Sequence, residues 1–436
     1  MDALPIIFFV IVLLLLLSGF PVAFTLGGAS IIFGFFTFGL EFFNLLPLRI
    51  WGIMNNYILI AVPLFIFMGV MFEKSGLAEE LLETMALLFG KLKGGLAISV
   101  LVVGALLAAA TGIVGATVVT MGVLSLPTML KKGYHPSAAS GIISASGTLG
   151  QIIPPSIVLV LLGSVLNISV GDLFMGAVIP GLMLVTLYFC WIIIKTFITP
   201  KSVPAMPKED LLEFQNHKKT KRILTAFIAP IFLIIAVLGS IFAGIASPTE
   251  AAAIGAFGAT LLTIIRKKFS IATLKDVMTK TTTLTSMAFM ILVGASAFGL
   301  VFRGMGGDVY LTSLISGIDP HYFLAIVMVI IFVAGFFIDF IEITFIIVPV
   351  VAPIFVHLGI DLLWVGILIA VNLQTSFLTP PFGFALFYLK GVAPPEVQTS
   401  HIYKGIIPYV VIQLIGLLLI ILFPDLVLWL PNALVN

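Results

Sequence analysis

The sequence predicts an all-α polytopic membrane protein built from two repeated halves. Composition is the first reason: of 436 residues, 61% are apolar and 9% charged, where a soluble domain holds roughly 45–50% and about 25%. Mean hydropathy is +1.27. Such a surface is stable only in lipid, which admits helices or closed barrels because every backbone polar group must be paired internally. Continuity of the apolar runs is the second reason. They do not alternate, so helices are expected and not barrel strands. The third is an internal repeat: Pro127, Pro154 and Pro155 recur as Pro353, Pro380 and Pro381, and 353−127, 380−154 and 381−155 each equal 226.

Spans of membrane length fall between charged breaks, at about 4–18, 21–39, 57–72, 94–110, 155–166, 173–195, 223–243, 249–265, 281–302, 321–337, 361–376 and 405–423. The first begins near Asp2, which stands where a signal peptide would carry positive charge, and the apolar pattern resumes after Gly19-Phe20-Pro21. It is therefore expected to be a membrane helix and not a cleaved leader. Two further stretches, about 111–153 and 339–380, are apolar but crowded with Gly, Pro, Ser and Thr. They are expected as broken or re-entrant segments, which lipid tolerates only where protein or a water-filled cavity covers them.

A polar stretch, 199–222, divides the chain into a first half (1–198) and a second (223–436). From Lys195 to Arg222, and from Arg266 to Lys280, lie 12 of the 21 Lys and Arg. The positive-inside rule places both basic loops in the cytoplasm. Net charge is +2, which gives no pull toward nucleic acid. Cys190 is the one cysteine, so no disulfide framework or thiolate metal site is expected. The five histidines have no metal-ligand spacing, and no phosphate-binding Gly-rich loop is present.

Further repeat matches split the chain at its basic loop. Pro21…Gly28-Ala29 pairs with Pro248…Gly255-Ala256, and Gly176…Pro180 resembles Gly405…Pro408. Repeated halves with interrupted helices at corresponding places mark secondary transporters, whose sites lie near the midplane on those interruptions. An odd number of crossings per half inverts the second half.

The candidate site residues follow. Thr111, Gly112 and Gly115 lie in a small-residue turn whose carbonyls and hydroxyls suit Na⁺, while a half-helix N-terminus suits a carboxylate. The alternative is a small-residue helix packing face. Ser146, Gly147 and Thr148 precede Pro154-Pro155. Asn372, Thr375, Ser376 and Thr379 precede Pro380-Pro381. A Pro-Pro step stops a helix and frees carbonyls upstream, so each set reads as a neutral polar pocket, or else as a kink satisfied by hydroxyl back-bonding. Na⁺ is expected near Thr111, Gly147 and Ser376. Asp339 and Glu342, three apart, share a helix face and are candidates for cation or proton binding. The competing reading is a helix cap. Ser247-Pro248-Thr249-Glu250 reads as a structural capping box, and Arg303, after an apolar span, as an interfacial, snorkelling side chain, the alternative being that it meets a carboxylate.

The order of Met68-Gly69…Ser75-Gly76-Leu77-Ala78, Pro127-Thr128-Met129-Leu130-Lys131-Lys132-Gly133-Tyr134, Ala145…Gly150, Ile153…Ser156, Ser247…Ala253 and Thr379-Pro380-Pro381-Phe382-Gly383 resembles the large membrane subunit (DctM-like) of tripartite ATP-independent periplasmic, or TRAP, transporters. The resemblance spans essentially the whole chain. It implies an elevator-type carrier with two re-entrant hairpins in the bacterial inner membrane, coupling Na⁺ to uptake of an organic acid, with Na⁺ as coupling ion and no other cofactor. It also implies two partners, a small four-helix DctQ-like membrane subunit and a periplasmic substrate-binding protein. Two departures stand out. Ile113-Val114 occupies a place where many members carry Ser-Ser, and the acidic Asp339-Phe340-Ile341-Glu342 resembles a branch linked to mannitol, chloroaromatic acids and 2-oxo acids. Two other readings compete: a stand-alone ion-coupled anion symporter, and an intramembrane enzyme using the Asp339/Glu342 pair.

Overall fold

The computed structural model describes residues 3–206, 219–314 and 317–435. The middle of the basic linker, 207–218, lies outside the described residues, and with it Lys208, Glu209, Asp210, Glu213 and Lys218. The first half runs α1 (Leu4–Leu17), α2 (Val22–Phe38), α3 (Phe42–Met54), α4 (Ala61–Lys74), α5 (Leu77–Phe89), α6 (Gly95–Thr111), α7 (Val114–Lys131), α8 (Pro136–Thr148), α9 (Ile157–Leu166) and α10 (Val170–Ile198). The second runs α11 (Lys219–Phe242), α12 (Pro248–Ile265), α13 (Ile271–Gly304), α14 (Gly307–Leu314), α15 (Pro320–Ala334), α16 (Phe340–Ile346), α17 (Val348–His357), α18 (Leu362–Leu378), α19 (Phe384–Val392), α20 (Thr399–Leu422) and α21 (Asp425–Val435).

Among the described residues, seven spans are long and apolar enough to cross a bilayer, and the bent pair α16–α17 makes an eighth. Phe24, Phe36, Phe197, Phe232, Phe257 and Ile271 are each at least 70% exposed, a surface that lipid and not water can cover.

The repeat is structural. Helices α2, α7 and α8 start at 22, 114 and 136, and α12, α16 and α18 start at 248, 340 and 362. Each difference is 226. Packing repeats too. A Cβ on Gly255 of α12 would lie 2.4 Å from Met68 of α4, and one on Gly294 of α13 would lie 2.6 Å from Ala23 O of α2. Likewise Gly405 of α20 sits against Ser137 and Gly141 of α8, while Gly176 of α10 sits against Ile367 of α18. Reciprocal contacts of this kind are the signature of a two-fold relation.

Each half contains one hairpin, legible from which residues touch. Gly104 packs on Ser146 and Gly150 on Ala108, so α6 and α8 run parallel. Gly147 packs on Val118, and the turn at 132–135 closes with Tyr134 N donating to Met129 O, so α7 runs antiparallel to α8. Hence α6 and α7 fold back on each other with the tip at Gly112-Ile113. In the second half Asn372 reaches Met328 and Gly335 abuts Ser376, so α15 parallels α18. The Phe340 and Phe377 rings, 6.2 Å apart, set α16 antiparallel to α18. The second tip is 335–339.

The stretches expected to be broken, about 111–153 and 339–380, do contain helix breaks, but each opens at a hairpin tip and not at the start of a hairpin. The first arm of each hairpin, α6 and α15, lies before its stretch. Pro127 and Pro353 sit inside α7 and α17 and stop neither helix, because neighbouring helices cover the freed backbone groups. Of the repeated prolines, only the steps Pro154-Pro155 and Pro380-Pro381, both cis, follow helix ends. Helices α3 and α5 were not expected as separate elements. The charged α5, with Glu79, Glu80 and Glu83, links α4 to the first hairpin.

Candidate functional site

At the first tip Gly112 adopts φ +61° and its N–H bonds back to Ala108 O. This left-handed cap favours glycine and lets the chain reverse in two residues. Thr111 is buried, and its hydroxyl lies 2.8 Å from that of Thr117, which also bonds Ile113 O at 3.0 Å. Thr117 thus brings a second hydroxyl to the tip although Ile113-Val114 offers none. Gly115 faces the second half, since a Cβ there would sit 3.0 Å from the Tyr388 ring of α19.

Beside this tip α8 ends. Ser146, Gly147 and Thr148 are fully or almost fully enclosed, with Ser146 and Thr148 hydroxyls bonded back to Ile143 O and Ala145 O. A 3₁₀ turn, Leu149–Gln151, follows, and then irregular chain to α9. Gln151 is 0% exposed and neither of its amide atoms has a partner. Buried amides are nearly always paired, so this one is notable.

The second tip is built differently. Gly335 stands so close to Ser376 that a Cβ would fall 2.1 Å from its hydroxyl. Asp339 caps α16: its carboxylate accepts from Phe340 N at 2.8 Å, while Glu342 accepts from Asp339 N at 3.1 Å. Both carboxylates therefore engage the first turn of α16 as a capping box. Asn372 donates to Met328 O at 2.7 Å, and Ser376 and Thr379 bond back along their own helix. Thr375 lies 2.8 Å from Gln413 Oε1, whose amide donates to Tyr188 OH at 2.7 Å. Among the described residues no three His, Cys, Asp or Glu converge as metal ligands.

The two sets meet. Gln374 Nε2 lies 3.5 Å from Thr148 Oγ1, a weak bond by distance, but 374−148 is 226. The two positions are repeat equivalents, so the two-fold passes between them. The residues nominated from sequence thus fall into two clusters joined at this point: Thr111, Gly112, Gly115, Ser146, Gly147 and Thr148, then Asp339, Glu342, Asn372, Thr375, Ser376 and Thr379. Thr117, Gln151, Gln374 and Gln413 are not among the residues nominated individually from the sequence. The first three lie within or beside stretches already singled out, and Gln413 is a lone amide in the apolar run of α20.

A family model described as the DctM component of the tripartite ATP-independent periplasmic transporter matches residues 9–426. The chain belongs to this family. It is the large permease subunit of a TRAP transporter, a transport component and not an enzyme. The C4-dicarboxylate TRAP transporter large permease protein DctM of Pseudomonas aeruginosa is 30% identical over 89% of this chain and 89% of its own length. Its namesake in Vibrio cholerae is 30% identical over 98% and 97%. In fold, the permease is similar to the YdaH transporter of Alcanivorax borkumensis, whose crystal structure was described as having an unusual topology, with a TM-score of 0.65, 15% identity and 98% of both chains covered. Members of the family act within tripartite systems that include a small membrane subunit and a periplasmic binding protein.

Proposed function

We propose that this permease carries a small organic acid inward with Na⁺ across the bacterial inner membrane, receiving it from a periplasmic binding protein and working beside a small membrane subunit. The observation that carries the reading is the meeting of the two helix breaks at Thr148 and Gln374, within a core of enclosed hydroxyls and amides contributed by both halves. A carboxylate buried there without countercharge would cost several kcal/mol. Na⁺ bound by carbonyls and hydroxyls near Thr111, Gly147 and Ser376 lowers that cost. Each Na⁺ entering down the membrane potential also contributes about 2.3 kcal/mol per 100 mV. The names of the two relatives above support a dicarboxylate as cargo.

The clusters joined at the two-fold would then travel as one body, formed by both hairpins with α8, α9, α18 and α19, against a frame of α2, α4, α12 and α13. Uptake of radiolabelled succinate into proteoliposomes holding the permease, its small subunit and the cognate binding protein tests the reading. Accumulation should need an inward Na⁺ gradient and the binding protein. Equal accumulation without Na⁺ removes the coupling, and full activity without the binding protein favours a stand-alone symporter.

A further inference from the structure

A cavity of about 360 Å³, whose lining includes no residue of either hairpin tip or of Pro154-Pro155 or Pro380-Pro381, is walled by α3, α9, α13 and the α16–α17 bend. That volume is in the range of small-molecule sites. Its walls carry Arg49 of α3, Asn56, Ser164 of α9, Ser296 and Arg303 of α13, and Phe345 of α16. Polar side chains thus converge from three helices, α3, α9 and α13, and from the segment before α4. Arg303 is exposed, and its guanidinium folds back along α13, 3.7 Å from where a Cβ on Gly299 would sit. Asp308 shares an adjoining small cavity with Arg303 but forms no ion pair with it. Among the described residues neither arginine has a carboxylate partner, whereas Lys74 pairs with Asp276 and Arg266 with Glu80.

The cavity also has a side. Lys74 and Arg266 mark the end of α4 and α12 nearest the basic loops, which the positive-inside rule assigns to the cytoplasm. Asn56, before α4, and Arg303, at the last turn of α13, lie at the opposite end. Thr249, at the start of α12, bonds Tyr57 O there. The cavity therefore opens at the non-cytoplasmic end, beside a hydrogen bond that ties the pre-α4 segment to α9, Asn56 Nδ2 to Ser164 Oγ at 3.1 Å.

We propose that this cleft is a receiving site for a small carboxylate anion, held by the Arg49 and Arg303 guanidiniums before it reaches the helix breaks. Guanidinium groups match carboxylates with forked donors, and two like charges on one cleft, both exposed, raise the local concentration of anions. The identification of the anion as cargo rests on the organic-acid reading above. Its test does not, because it needs no gradient, no small subunit and no binding protein.

The test uses the permease with Cys190→Ser and Ser296→Cys, reconstituted in vesicles, with only outward-facing protein probed by impermeant thiosulfonates. An anionic reagent should modify Cys at 296 at least about fivefold faster than a cationic one of similar size. Succinate should slow it, and Arg49→Gln with Arg303→Gln should bring the two reagents to parity and remove the succinate effect. Should Ser296→Cys fail to give monodisperse protein, Leu48→Cys, on the same wall, serves instead. Parity in the parent protein overturns the proposal. So does reaction only from the cytoplasmic face. The third contrary result is an anionic advantage that vanishes when phosphatidylglycerol replaces phosphatidylcholine while succinate fails to compete, since the arginines then hold a lipid headgroup. Loss of Na⁺-coupled uptake would leave all three outcomes unchanged.

Discussion

The two hairpin tips occupy equivalent places, 226 residues apart, yet are chemically unlike. The first turns in two residues at Gly112-Ile113, carries no charge, and is stitched by the Thr111–Thr117 hydroxyl pair. The second needs 335–339, is capped by two carboxylates, and continues into a helix that bends by 50° between α16 and α17. Duplication of a fold therefore fixed where the chain breaks but left each break free to use different groups. A neutral tip leaves carbonyls and hydroxyls for a ligand. An acidic tip spends its carboxylates on the hairpin's own backbone.

Substitutions can break that comparison, and packing should give the largest effect. At Gly405 an added Cβ would lie 2.0 Å from Ser137 O, whereas at its repeat partner Gly176 the nearest atom is 3.1 Å away. Gly405→Ala should lower the thermal midpoint clearly, with overpacking costing about 1–3 kcal/mol, and Gly176→Ala should lower it far less. Comparable shifts in a fluorescence-detected melt would show that the two interfaces are equally tight. Next comes the acidic cap. Asp339→Ala should cost about 0.5–2 kcal/mol of local helix stability, seen as faster amide exchange in 340–346. Ile113→Ala, at the equivalent cap of α7, should leave exchange in 114–120 nearly unchanged. The smallest effect belongs to the hydroxyl pair: Thr117→Val removes a hydrogen bond worth about 1 kcal/mol and should raise the Na⁺ concentration for half-maximal uptake several-fold with little change in melting. An unaltered Na⁺ dependence would separate this pair from the ion.

Much of this arrangement was readable before any coordinates. Long apolar runs specified membrane helices because lipid leaves the backbone few other ways to satisfy its groups, and Pro154-Pro155 and Pro380-Pro381 marked true breaks because two missing N–H groups end a helix. A single proline is a weaker signal. Pro127 and Pro353 look like the same signal, but each sits within a helix packed closely enough to carry it. The tips were located only loosely, because the reversal at Gly112 depends on one left-handed residue in a run rich in small ones. Asp339 and Glu342 show a limit of another kind. Spacing three apart fits both a cation site and a capping box, and only geometry placed Glu342 on the Asp339 N–H. Arg49 and Arg303, 254 residues apart in sequence by subtraction, share no motif, so their common cavity had no linear signature.

The central claim is that the two breaks act as one polar core centred on the equivalent pair Thr148 and Gln374. A double-mutant cycle on succinate uptake with Thr148→Val and Gln374→Leu tests it most directly. Groups that share a ligand and touch each other should be non-additive, so the double variant should be no more impaired in kcat/KM than the worse single one. A double variant whose loss equals the product of the two single losses would show that the halves work independently.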